Sequence, residues 1–229
     1  MVQVFDSRPI HIVSSEQPAK IRNSSFIHNQ AEASGGGVLL WSASAIFEQS
    51  TFSSNAAEYG AAIRSTSNSG ITVKRSTVFQ NLVTDFSTLS GGAIDARSAL
   101  IDHSIVAGTV YRRQDGSELS RPDIRGSGYS VSHSIVQHPG DLIPTILNGD
   151  LVSVGNAPGT APGLAPLAMN GSGLPTHALL PHSIAIDAGD PSITAEGEHD
   201  QRGAPTRVWP TVGVASSGSI SAPTRLKGP

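Results

Sequence analysis

Apolar residues recur along this chain in columns, with no convincing helical stripe in any window. Phe26, Phe52, Val78, Ile105 and Ile135 follow one another at steps of 26, 26, 27 and 30 residues. Val38, Ile63, Ile94 and Ile124 form a second column at steps of 25, 31 and 30. Between Ile21 and Ile94 the polar residues repeat with them, in IRNSSFIHNQAEASGGGV, IFEQSTFSSNAAEYGAAI and ITVKRSTVFQNLVTDFSTLSGGAI. Each copy has an aliphatic start, a Ser-Ser or Ser-Thr pair, an apolar residue, an Asn three places later and a Gly-rich approach to another aliphatic. Self-similarity at such a period marks a solenoid.

Two columns at one period require at least two strands per coil, each stacked on its counterparts above and below. Leucine-rich, ankyrin and tetratricopeptide arrays have similar periods, but the leucine ladder is missing, and β-branched and Ser/Thr residues with Gly-rich bends disfavour helical repeats. The expected fold is all-β: a right-handed parallel β-helix of five or six coils. Residues 1–20 read as an N-terminal cap or incomplete coil, 21–138 as the β-helix, and 139–229 as a Pro/Gly-rich extended segment packed on it. Asn29, Asn55 and Asn81, 26 residues apart, are expected to bond one another along the axis, since an amide both donates and accepts. Gly35 to Gly37, Gly60, Gly91 and Gly92 read as bends or points of close backbone approach.

Composition agrees with this and removes several functions. The 229 residues include 24 Gly and 15 Pro with only 5% aromatics, which suits short strands and many turns. A net charge of −3 offers no basic field for a phosphate backbone, so nucleic acid is not an expected partner. The absence of Cys removes disulfides, thiolate nucleophiles and Cys-based zinc sites. No apolar run is long enough to span a membrane as a helix. The opening residues MVQVFDSRPIHIVSSEQPAK lack the pattern of a secretory signal, leaving two readings: a chain that begins after a removed export signal, or a piece of a longer product.

Two stretches carry family resemblances. The phrases STFSSN, STVFQN and GGAI resemble the repeats of polymorphic outer-membrane proteins and related bacterial surface β-helices. APGLAPLAMNGSGLPTHALLPHSIAIDAGDP with DQRGAP, between Ala161 and Pro205, is similar to the closing segment of bacterial extracellular proteins with a "choice-of-anchor" region after a parallel β-helix. The resemblance implies an exported, extracellular or surface-associated β-helix and no particular reaction.

Candidate chemistry falls in three groups. The outward positions after the second column hold Arg64, Asp95 and Arg125, a ladder of cross-strand charges. Arg121 and Asp123 lie beside them in sequence, with Asp115 and Glu118 in a polar insertion from Thr109 to Gly128. A groove with Arg and Asp together suits a sugar acid, or an ester or glycosidic bond. His103 and His133 form a second catalytic set, with Asp102, Ser104 and Ser134 as neighbours. If Ile105 and Ile135 point inward, strict alternation puts both His inward too, and Asp102 and Ser104 outward. Thirdly, Asp187, Asp190, Glu196, Glu198 and Asp200 supply oxygen ligands suited to calcium, without EF-hand spacing. Trp41 and Trp209 are candidates for stacking on sugar rings.

Regular repetition without a strong catalytic motif favours a non-catalytic surface β-helix that contacts polysaccharide or another cell-surface ligand, for adhesion. The alternative is a calcium-assisted hydrolase or lyase acting on polysaccharide, or on a small ester or lactone, at an outer groove. Neither the ligand nor the oligomeric state is written in the sequence.

Overall fold

The computed structural model describes residues 3–5, 8–13, 16–66, 69–84, 91–113, 115–140, 145–146, 151–152, 162–171, 173–190 and 200–202, to which the structural account refers. The described chain is all-β and forms a parallel β-solenoid. A seven-stranded sheet stacks Gln3–Phe5, Ser25–Ile27, Thr51–Ser53, Thr77–Phe79, Ile105–Ala107, Ser134–Val136 and Leu151–Val152 in that order. A five-stranded sheet stacks Ile10–Val13, Val38–Trp41, Ile63–Thr66, Ile94–Asp95 and Ile124–Arg125. A six-stranded sheet stacks Ala19–Arg22, Ala45–Glu48, Gly70–Lys74, Ser98–Asp102, Gly128–Ser132 and Thr145–Ile146. From Ser25–Ile27 the chain returns to the first sheet four times before Leu151–Val152, giving about four turns. The expected five or six counted the outermost passes, which add only short strands.

The core fills the space between these sheets. Phe26, Phe52, Val78, Val106 and Val136 point in from the first; Val38, Ile63, Ile94 and Ile124 from the second; Phe47, Val73, Ile101 and Val131 from the third. Stacking of coils at the strand spacing brings like residues together. The rings of Phe26 and Phe52 lie face to face at 4.5 Å, and Phe47 meets Phe52 edge-on at 5.2 Å. Burial of such side chains contributes about 1.5–3 kcal/mol each.

The first apolar column was therefore misaligned in its last two coils. Val78 pairs with Val106, and Val106 with Val136, whereas Ile105 and Ile135 occupy the outer face. The physical reason lies at the corners. Asn23, Gln49, Arg75, His103 and His133 all have φ between 44° and 50°, a left-handed conformation that interrupts the two-residue alternation. Parity cannot be counted through such a residue, so the inward placement of both His and the separation of His103 from Asp102 are corrected too.

Each left-handed residue precedes a serine that completes the corner. Ser50, Ser76 and Ser104 donate their backbone N–H to the hydroxyl oxygen of the next serine at 3.0–3.1 Å. Their hydroxyls donate to the carbonyl two residues back at 2.8–3.0 Å. The asparagine ladder closes the opposite corner: N and Nδ2 of Asn29 bond Asn55 Oδ1, and N and Nδ2 of Asn55 bond Asn81 Oδ1, at 2.9–3.1 Å. In the next coil Thr109 takes the Asn position. Its N–H and hydroxyl donate to Oδ1 of Asp123 at 3.1 and 2.6 Å, so Asp123 supplies the acceptor that another Asn would have given.

An antiparallel pair, Leu164–Met169 with Pro175–Leu179, covers the outside of the seven-stranded sheet. His177 reaches Ser53 at 2.9 Å, Thr51 donates to Gln201 at 2.7 Å, and Leu179 and Ala185 cover Ile105 and Ile135. The five central strands of that sheet, from Ser25–Ile27 to Ser134–Val136, are thus buried on both faces, while the outer faces of the five- and six-stranded sheets retain open clefts.

Candidate functional site

The five-stranded sheet projects two ladders to the outside. The first runs through His11, Leu39, Arg64, Asp95 and Arg125, as the pairings of those residues require. The second starts two residues later, at Val13, Trp41 and Thr66; on the following coils Arg97 and Ser127 stand in bends just beyond the paired residues. Side chains two apart on a strand share a face.

A cleft of about 330 Å³ opens between the upper members of these ladders, lined chiefly by Arg64, Thr66, Asp95, Arg97 and Ser127. Its shape depends on Gly126, whose φ of 153° lets the chain pass against the preceding coil; a Cβ there would collide with the carbonyl oxygen of Ala96. Asp95 is buried beside Arg64, with which it forms an ion pair, and Arg125 faces it from the next coil. Burial pushes the Asp95 pKa up, against the pull of Arg64 and Arg125. Arg64 is fixed further by the ring of Tyr59, 5.5 Å from its guanidinium carbon. One coil below the cleft, Trp41 is 59% exposed, and its ladder neighbour Val13 is 64% exposed.

Of the proposed catalytic residues, only Asp95 and Arg125 come together here. Arg121 lies over the ring of Tyr111 at 5.8 Å. Asp123 is buried at the end of the asparagine ladder, with Oδ2 accepting from the His138 N–H at 2.6 Å. Burial raises its pKa to about 7, against hydrogen bonds that favour the carboxylate. The insertion forms a hairpin in which Arg112 pairs with Glu118, and Asp115 bonds Ser117 within the turn. Glycosidases of the usual kind place two carboxyl groups across the sugar, and the described lining of this cleft contributes Asp95 alone.

His103 and His133 sit at a different corner. Their rings stack at 4.8 Å with 19° between planes. His103 Nδ1 donates to Asp102 Oδ1 at 2.8 Å, and His133 Nδ1 is 3.0 Å from the Ser132 hydroxyl. Burial alone pushes Asp102 up, but the His103 hydrogen bond and the charges of His103, Lys74 and His133 outweigh it, leaving the carboxyl below its usual range. Donor atoms of Asp102, His103 and His133 lie within 4.8 Å of one another. With the rings nearly parallel, however, their in-plane lone pairs run side by side and do not converge as a metal requires. Ser104 donates to the Asp102 and Val73 carbonyls, so its hydroxyl serves the corner and not His103.

Of the calcium candidates, Asp187, Asp190 and Asp200 lie among the described residues. Asp200 is bound by the backbone and side chain of Arg202 at 2.7–2.8 Å. Asp187 occupies a left-handed turn position, Asp190 lies at the end of that stretch, and Glu196, Glu198 and Trp209 lie outside the described residues.

Sequence reasoning missed Thr66, Arg97 and Ser127. Thr66 was within reach of the alternation, two places after Arg64 on one strand, whereas Arg97 and Ser127 stand in bends past the strand ends, where alternation assigns no face.

Among the described residues no helix is long and apolar enough to cross a membrane. No family model matches the chain, and no curated protein or solved structure gives a significant match. The class defined by the coordinates is a parallel β-solenoid with an open, arginine-bearing outer face.

Proposed function

We propose that the protein is a non-catalytic surface β-helix that binds an extended polysaccharide along the outer face of its five-stranded sheet. The observation that carries this reading is the row of paired Val13, Trp41 and Thr66, with Arg97 and Ser127 beside Thr66 in the cleft. An exposed aromatic adjoins an exposed aliphatic at one end, with hydroxyls and a guanidinium above. Contiguous exposed apolar side chains with polar groups beside them suit a ligand that is apolar on one face and hydroxylated at its edges. A sugar chain has that character, and coils at about 4.8 Å spacing offer it repeated contacts along its length. Export and surface attachment are part of the proposal and draw support from the motif resemblances alone.

The test is binding of soluble plant, algal and bacterial polysaccharides by affinity electrophoresis, with parallel assay for new reducing ends and unsaturated products. The proposal expects retardation without product, and loss of roughly tenfold in affinity, or about 1.4 kcal/mol, for Trp41→Ala. Turnover that a chelator abolishes and calcium restores would establish the hydrolase or lyase reading instead.

A further inference from the structure

We infer that the site selects acidic polysaccharide, with Arg97 reading a sugar carboxylate; this rests on the polysaccharide reading above and narrows it. Charge is the first argument. Three guanidiniums, Arg64, Arg97 and Arg125, stand in or beside a cleft to which Asp95 contributes a carboxylate. Asp95 is taken up by Arg64, and both are held in the wall of the sheet. Asp95 is the sole acidic residue of the described lining, and Arg97 stands outside its ion pair.

Arg97 differs from its neighbours in what holds it. Its carbonyl accepts from the Gly128 N–H at 2.9 Å and from the Ser127 hydroxyl at 3.2 Å, which fixes the backbone beneath it. Its side chain is exposed, and no ion pair or hydrogen bond engages the guanidinium among the described residues. Arg64, by contrast, is committed to Asp95 and Tyr59. Arg97 is therefore the cation available to a ligand, on a rigid base.

Register supplies the second argument. Trp41 pairs with Thr66, and Thr66 lines the cleft together with Arg97, so the indole and the guanidinium belong to the coils on either side of Thr66. A sugar stacked on Trp41 would place the ring next but one along the chain beside Arg97. Guanidinium is planar and binds carboxylate through two parallel N–H···O bonds, a match that a neutral hydroxymethyl or methyl ester cannot reproduce. Thr66, between them, provides a hydroxyl for the intervening sugar, although that hydroxyl donates at present to the Leu40 carbonyl at 3.1 Å and would serve as acceptor.

The experiment compares three polymers in the presence of chelator, which prevents calcium from bridging polymer chains: polygalacturonate, the same polymer fully methyl-esterified, and dextran sulfate. The wild type is expected to bind polygalacturonate at least about tenfold more tightly than the ester, about 1.4 kcal/mol. Arg97→Ala should erase that preference, Arg97→Lys should restore part of it, and Trp41→Ala should weaken binding to both forms alike. Because Arg97 is exposed, its variants should fold as the wild type does, which circular dichroism and thermal unfolding will verify. Equal binding of acid and ester would overturn the carboxylate inference while leaving the polysaccharide reading in place. Dextran sulfate binding as tightly as polygalacturonate would overturn it too, by showing response to charge alone, as would an unchanged preference in Arg97→Ala. Binding to none of the three would remove this inference, and failure across the wider polysaccharide set would remove the reading beneath it.

Discussion

Asp123 shows how a single side chain can look catalytic in sequence and be structural in space. Its carboxylate accepts from Thr109 N–H, Thr109 hydroxyl and His138 N–H, and so ends the ladder that Asn29, Asn55 and Asn81 begin. Burial raises its pKa from an ordinary 3.8 to about 7. A raised carboxyl pKa means that the folded protein holds the proton more tightly than the unfolded chain. Its contribution to stability is therefore complete below the ordinary value and is lost as pH rises through about 7. Asp123→Asn cannot ionise. The stability difference between wild type and this variant, measured by urea unfolding, should fall by up to about 1.4 kcal/mol per pH unit between pH 5 and 7. A flat difference would show that the three donors keep the carboxylate ionised throughout. Nothing in the sequence announces the Thr109–Asp123 bond, because it joins two ends of an insertion whose length follows no repeat.

At the scale of elements, the strands were legible and their last offsets were not. Val38, Ile63, Ile94 and Ile124 pair as their spacing implied, and the Asn ladder forms as the amide chemistry required. The slip at Ile105 arose because Thr77 and Val78 are followed a coil later by two aliphatics, Ile105 and Val106, either of which satisfies an apolar column. The left-handed corner at His103 turns Val106 inward, and Ile105 packs outside against Leu179 and Ala185, a long-range contact. His177 anchors the C-terminal hairpin: its Nδ1 donates to the Ala165 carbonyl at 2.8 Å, so Nε2 accepts from the Ser53 hydroxyl. Burial lowers its pKa, only partly opposed by the Ala165 bond. The sign is opposite to that of Asp123. Stability is complete above the unfolded value near 6.5 and is lost as pH falls toward the folded one. Amide exchange in Leu164–Met169 and Pro175–Leu179, corrected for intrinsic rates, should be faster at pH 5 than at pH 7, and His177→Gln should remove the difference. Equal protection in the wild type at both pH values would mean that His177 does not govern docking.

For the whole molecule, the solenoid converts sequence period into surface ladders, and function is proposed where a ladder breaks its own regularity. The Ser and Asn columns satisfy backbone groups at corners, and the Phe column fills the core. Trp41 and Arg97 do neither. The charge ladder of Arg64, Asp95 and Arg125 was readable in the sequence because it follows inward aliphatics; of the residues beside it only Thr66 could be reached by the same parity, since Arg97 and Ser127 stand in bends past the strand ends. The His pair was readable as a pair, but its placement depended on left-handed corners that sequence alternation does not reveal. The most direct test of the account is backbone amide chemical-shift mapping during titration with an acidic oligosaccharide. The account predicts perturbations centred on Trp41, Thr66, Arg97 and Ser127, with no product formed. Perturbations confined to Asp102, His103 and His133, or saturation accompanied by cleavage of the sugar, would contradict it.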